Sequence, residues 1–226
     1  MGTDIHPLVQ RRKNENSEWE FVTIPGAAEK AWDKRDAEPI LQGLTGRNYQ
    51  LFAVLGNVRN GYGFAGVVTG EPIPFISDCR GLPSDFTEQK TVRFNKYASK
   101  WSDDEEEQMD YGDHSITWMT LAELLAYDWN RSIVKVGVIS LKQFQQWDGI
   151  TPPEIYSGGV WGQNIVTISE KDARESTIPK NVEVYVQISW RTSIKDRCKL
   201  FVEHVIPWLQ TLGEPDNIRL IVGFDS

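Results

Sequence analysis

Val182-Glu183-Val184-Tyr185-Val186-Gln187-Ile188-Ser189-Trp190 alternates polar and apolar side chains without a break, and together with the segment after it decides the fold. A period of two over that length specifies a strand with one buried face. Ser193 then stands where a helix N-cap is needed, ahead of an apolar face made by Cys198, Phe201, Val202, Val205, Leu209 and Leu212. Pro207 falls inside that run, where it removes a backbone donor and crowds the preceding turn, so a kink is expected there. Gly213 ends the helix, and Ile218 to Phe224 supplies a further apolar strand. Strand, helix and strand of these lengths suit a βαβ or an α+β crossover, right-handed if the two strands are parallel.

Upstream, Asn164 to Ser169 reads as a short strand and Ile133 to Ser140 as a β-branched one, with Ser140 capping a short helix from Leu141 to Trp147. Thr120-Leu121-Ala122-Glu123 is a capping box opening a helix that buries Leu121, Leu124 and Leu125. Gln50 to Val58 carries Leu51, Val54, Leu55 and Val58 at i, i+3, i+4 and i+7, an amphipathic helix that Asn48 or Thr45 can cap. At the N-terminus, Met1 to Gln10 reads as a strand, and Trp19 to Ile24 as its hairpin partner across the polar turn Lys13-Asn14-Glu15-Asn16. Pro7 cannot donate to a ladder, which places that position at a sheet edge or bulge. Gly26 to Leu41 reads as loop with a short helix, and the prolines between Glu71 and Pro83 mark an ordered loop. The expected architecture is a single α+β domain over residues 1–226: a mixed sheet, an N-terminal hairpin and a C-terminal strand–helix–strand unit.

Composition narrows the function classes. The 226 residues are 40% hydrophobic and 25% charged, as in ordinary globular proteins. A net charge of −8 argues against general nucleic-acid binding, which needs a basic face. Cys79 and Cys198 lack metal-ligand spacing and fit a reduced compartment. No signal peptide and no membrane-length apolar run is present, so a cytoplasmic protein without membrane attachment is expected. The acidic run Asp103 to Glu107 reads as a solvated surface.

Chemistry points first to two Asp/His pairs. Asp4 and His6 stand two apart, on one face of an extended strand, and Asp113 directly precedes His114. Imidazoles and carboxylates can act as general acid and base, which makes Asp4, His6, Asp113 and His114 the candidate catalytic set. If the pairs meet in space, Asp4, His6 and His114 can also ligate a divalent ion such as Zn²⁺, Mn²⁺ or Mg²⁺. The opposing reading is local: Asp4 orients His6, and Asp113 caps a turn beside a loop histidine. Arg59 and Arg80 offer guanidinium forks for an anion, and Tyr62, Phe64 or Trp118 can stack on a base. Arg59 to Gly66 is a glycine-punctuated loop without the Lys-Ser/Thr signature of a phosphate loop.

Met1-Gly2-Thr3-Asp4-Ile5-His6, Arg47-Asn48-Tyr49, Arg80-Gly81-Leu82-Pro83, His114-Ser115 and Tyr127-Asp128-Trp129 together resemble uncharacterised proteins of tailed phages and prophages. Those proteins typically begin Met-Gly-Cys-Asp-Ile-His and close on an apolar strand like that ending at Phe224-Asp225. Thr3 here replaces the usual Cys. The resemblance implies a phage-type origin and a host-cytoplasmic setting. It also adds Arg47, Asn48, Asp85 and Asp128 to the candidate pocket residues. The resulting expectation is a protein that binds a small anionic ligand, a nucleotide or cyclic nucleotide for example, and hydrolyses it. The rival expectations are a ligand-sequestering anti-defence protein without chemistry and a protein-binding inhibitor of a host factor. Homo-oligomerisation is compatible with either.

Overall fold

The computed structural model describes residues 2–26, 39–86, 112–175 and 181–225. Its strands form two sheets. The larger, fully antiparallel, has the order β2-β1-β7-β3, from Glu20–Phe21 (β2), Asp4–Arg11 (β1), Ile218–Asp225 (β7) and His114–Thr120 (β3). The smaller has the order β4-β6-β5, from Ser132–Ser140 (β4), Glu183–Ser193 (β6) and Ile165–Ser169 (β5). It is mixed, because β5 runs parallel to β6 while β4 runs antiparallel. The α+β class and both end units therefore hold. The strand–helix–strand unit, however, joins the two sheets: β6 lies in the smaller and β7 in the larger.

The helices are Pro39–Thr45 (α1), Tyr49–Gly56 (α2), Leu121–Ala126 (α3), Leu141–Gln146 (α4), Glu170–Arg174 (α5), Ile194–Arg197 (α6) and Ile206–Gln210 (α7). A single corner recurs in this chain. Thr120, Ser140, Ser169 and Ser193 each end a strand, stay extended, and accept a hydrogen bond from the amide three residues on, starting α3, α4, α5 and α6. Each such cap contributes about 1 kcal/mol, and each turns the chain from sheet to helix at a fixed residue. The distortion expected at Pro207 takes the form of a π turn at Phe201–Val205. The Ile206 amide reaches back to the Phe201 carbonyl, and the wider turn makes room for the proline ring at the start of α7.

β7 is the centre of the larger sheet and is buried from Ile218 to Phe224. Ile5, Val9, Leu220, Val222 and Phe224 enter one core with Leu51, Phe52 and Leu55 of α2 and Phe201, Val205 and Leu209 of the C-terminal helix. The smaller sheet has its own cluster, Ile139, Phe144, Val186, Ile188 and Trp190. On the reverse face of the larger sheet lies a polar group. Arg219, 2% exposed, donates to Gln10 Oε1 at 2.8 Å and Asp85 Oδ1 at 2.6 Å, with its guanidinium 3.9 Å above Trp19. Trp19 Nε1 donates to the other Asp85 oxygen at 2.7 Å. At Pro7 β1 pairs only with β7, since β2 reaches no further than Gln10, so the ring faces no missing ladder bond. No helix among the described residues is long and apolar enough to cross a membrane.

Candidate functional site

The site is built at the end of the larger sheet where β1 begins and β7 finishes. Asp4 pairs with Asp225 and His6 with Gly223. Directly paired residues share a face, and alternation then sets Asp4, His6 and Asp225 on the same one. His6 Nε2 lies 3.1 Å from Asp225 Oδ2, while the Asp4 amide donates to Asp225 Oδ1 at 3.0 Å. Both oxygens of Asp225 are thus held, and the carboxylate fixes the imidazole of a histidine whose side chain is only 12% exposed. Asp4 in turn receives two bonds from Arg47, at 2.5 Å from Nε and 2.7 Å from Nη2. Those bonds, and then the Asp4 charge, raise the Arg47 pKa above its ordinary value.

Neighbouring residues anchor this end of the sheet to α2. The Thr3 amide donates to the Tyr49 hydroxyl at 3.4 Å, and Arg59 Nε donates to Thr3 Oγ1 at 2.9 Å while its guanidinium lies over the Tyr49 ring. Asn48 caps α2 through Oδ1 and donates from Nδ2 to the Arg197 carbonyl at 2.8 Å. Of the residues expected from sequence, Asp4, His6, Arg47, Asn48 and Arg59 are therefore gathered around one structural seam.

The second Asp/His pair does not join them. His114 pairs with Phe224 across β7 and its ring stacks on Phe224 at 6.3 Å. Phe224 points to the core face, opposite Asp225, so His6 and His114 occupy opposite faces of the sheet. With β7 between them, their backbones are also two strand spacings apart, roughly 9–10 Å. The cause is local. The stretch around His114 reads as loop in the sequence, yet it is a strand whose register shifts between His114 and Thr117, where Ser115 adopts φ 54°. His114 Nδ1 lies 3.0 Å from the Ser115 hydroxyl, and Asp113 is exposed, its amide donating to the Phe224 carbonyl. The two Asp/His pairs therefore do not meet: Asp4 and His6 lie together with Asp225, and Asp113 and His114 lie apart from them. The metal set Asp4, His6 and His114 does not converge for the same reason. No group of three or more His, Cys, Asp or Glu that could hold a metal ion occurs among the described residues.

The other expected ligand residues lie elsewhere. Arg80 donates to both oxygens of Glu123, at 2.8 and 3.2 Å, and to the Trp118 carbonyl, with its guanidinium over the Trp118 ring. That network fastens the loop before Pro83 to the start of α3. Tyr62 is half-exposed beside Val68, with which it forms an isolated bridge. Asp85 belongs to the Arg219 group. The acidic run Asp103 to Glu107 lies outside the described residues. Cys79 and Cys198 are both free thiols, and burial pushes Cys198 up to about 12.

Asp225 is the residue that sequence reasoning passed over. Its signal was present in the alternation Arg219, Ile221, Gly223, Asp225, which carries the acid onto the face opposite the apolar series. Comparison with protein-family models, curated proteins and solved structures finds no match for this chain.

Proposed function

We propose that the protein binds a small anionic molecule and acts on it by proton transfer at His6, with Asp225 as the residue that orients the imidazole. The observation that supports this reading is the 3.1 Å contact between His6 Nε2 and Asp225 Oδ2, in a carboxylate already fixed by the Asp4 amide. When Asp225 accepts from Nε2–H, the neutral tautomer carries its lone pair on Nδ1, the arrangement of a general base held by a carboxylate. Arg47 and Arg59 add positive charge at the same end of the sheet, although each has an internal partner. Hydrolysis of a phosphoester or nucleotide fits this set of groups, and the phage resemblance supplies the setting.

The test is turnover of a panel of nucleotides, cyclic nucleotides and simple phosphoesters by the purified protein, beside His6→Gln and Asp225→Asn variants that fold normally. Loss of about two orders of magnitude in each variant is expected for a general base and its orienting acid. Undiminished turnover in His6→Gln rejects the assignment. A second reading, sequestration without chemistry, is favoured by the two-bond pairing of Arg47 with Asp4, which stiffens the site. It predicts a ligand recovered intact after denaturation.

A further inference from the structure

β4 presents Ile133, Lys135, Gly137 and Ile139 to one side of the smaller sheet, because they pair directly with Thr192, Trp190, Ile188 and Val186. Trp190, Ile188 and Val186 are core residues of that sheet. Lys135 therefore stands in a series where a packed face calls for apolar side chains. A second cation arrives from another element. The Arg197 guanidinium of α6 lies 5.6 Å over the Tyr156 ring, and Tyr156 packs edge-on against Trp190, the residue paired with Lys135, at 4.7 Å.

Both side chains are half-buried, and neither meets an acidic partner among the described residues. Lys135 Nζ makes one long contact, 3.4 Å to Gln50 Oε1. Arg197 Nε is buried with no hydrogen-bond partner. Two half-buried like charges beside the same Tyr156–Trp190 pair, one with an unmet donor, are costly unless something of opposite charge joins them. Burial and then the Arg197 charge push the Lys135 ammonium down to about 8, in keeping with that cost.

An inward lysine on an edge strand can also serve to block pairing with another chain. β4 does not need that device along this stretch. Its open side is met by isolated bridges from Gly70 to Lys135 and from Ser157 to Val138, with the Val136 amide donating to the Thr69 carbonyl at 2.9 Å. Nor would edge protection call for Arg197.

We propose that Lys135, Arg197 and Gln50 form a binding site for an oxyanion, the phosphate or carboxylate group of a small molecule, with Tyr156 as its apolar wall. The guanidinium supplies a planar fork and the ammonium a point charge, a pairing suited to such groups. A bound oxygen would also give Arg197 Nε the acceptor it lacks. The site adjoins the His6 seam through nearby residues of one segment, since Arg47 holds Asp4 while Gln50 meets Lys135. It stands on its own observations, however, and holds whether or not His6 transfers a proton.

The experiment is titration of the full chain with inorganic phosphate and, separately, acetate, at constant ionic strength set by chloride, read by calorimetry and by thermal unfolding. Saturable binding with a rise in Tm is expected for at least one of the two, and the tighter one names the group. Lys135→Met and Arg197→Met are each expected to weaken that binding by about tenfold or more, the fold-change that loss of one charged hydrogen bond implies. Absence of saturable binding by either anion overturns the proposal, as does unaltered binding in both variants. Should a variant fail to fold, the Gln50 side-chain amide resonances of the parent protein decide. A shift that saturates with the anion supports the site, and an unmoved signal rejects it.

Discussion

Asp85→Asn isolates the worth of the charge that faces buried Arg219. Arg219 is 2% exposed, and Asp85 supplies its only carboxylate among the described residues, at 2.6 Å. Removing one member of a fully buried pair costs about 3–5 kcal/mol. Asp85 itself is 54% exposed, so solvent screens part of the interaction, and Gln10 and the Trp19 ring remain in place. Those two corrections bring the expected loss to about 2 kcal/mol. For a chain of this size that is a fall in Tm of roughly 4–8 °C, measurable by calorimetry or circular dichroism. Arg219→Met should cost less, within about 1 kcal/mol, because it removes the cation together with the Arg219 Nη2 donor that has no partner. The double variant should then be no worse than Arg219→Met alone. Greater destabilisation in Arg219→Met than in Asp85→Asn would refute the reasoning and make the arginine a net source of stability. The same pair sets an acid limit. Desolvation pushes the Asp85 carboxyl up, but hydrogen bonds from Arg219 and Trp19 and the Arg219 charge outweigh it and hold it below the ordinary carboxylate range. Its contribution is therefore present above the unfolded pKa of about 4 and is lost as pH falls through the lower folded value, a loss Asp85→Asn should not show.

Other perturbations probe separate links. Gly112 has φ 77°, and a Cβ there would stand 2.5 Å from the Phe224 amide nitrogen and 2.6 Å from its carbonyl oxygen, so Gly112→Ala is expected to cost more than about 2 kcal/mol in urea unfolding. Thr120→Ala should cost about 1 kcal/mol, and Thr120→Ser should restore most of it, because the cap on Glu123 needs only the hydroxyl. Without added anion, Lys135 lowers stability below its folded pKa of about 8, and the penalty is relieved as pH rises toward the unfolded value, since the unfolded chain binds the extra proton. Lys135→Met should then be more stable than the parent at pH 7, by at most about 3 kcal/mol, with the gap closing above pH 10. Arg197 and Cys198 are the other titratable groups acting on Lys135, and burial, by pushing the Cys198 thiol up to about 12, keeps it protonated in the folded protein across that window.

Range decides how much of the molecule is legible in its sequence. The alternation of β6, the caps at Thr120, Ser140 and Ser193, and the helix from Tyr49 to Gly56 rest on neighbours within a few residues, and those elements can be read directly. The partners of each strand cannot. Nothing near Val182 or Ile218 reveals that β6 and β7 enter different sheets, because that choice is made by β1, β3, β4 and β5, many residues away. β3 is hidden for a related reason. Asp113-His114-Ser115 has no clean alternation, since the register shift after His114 breaks the period on which a strand is recognised. That same irregularity turns His114 away from His6, so spacing alone could not test the Asp/His quartet. Asp4 and His6 do fall on one face, as two residues apart on a strand must, but their partner Asp225 comes from the far end of the chain. At Pro207 the lost donor is legible, and the helix absorbs it upstream by widening a turn.

The position of β7 has a consequence for how the protein can be made. The strand at the heart of the larger sheet is synthesised after every other described element, and among the described residues it alone bridges β1 and β3. The smaller sheet can pair as soon as β6 emerges, whereas β1 must wait more than two hundred residues for its main neighbour, a long loop to close. Translation arrested before Ile218 would therefore yield a chain with one sheet complete and two bare strand edges exposed, the form most open to aggregation and to proteases.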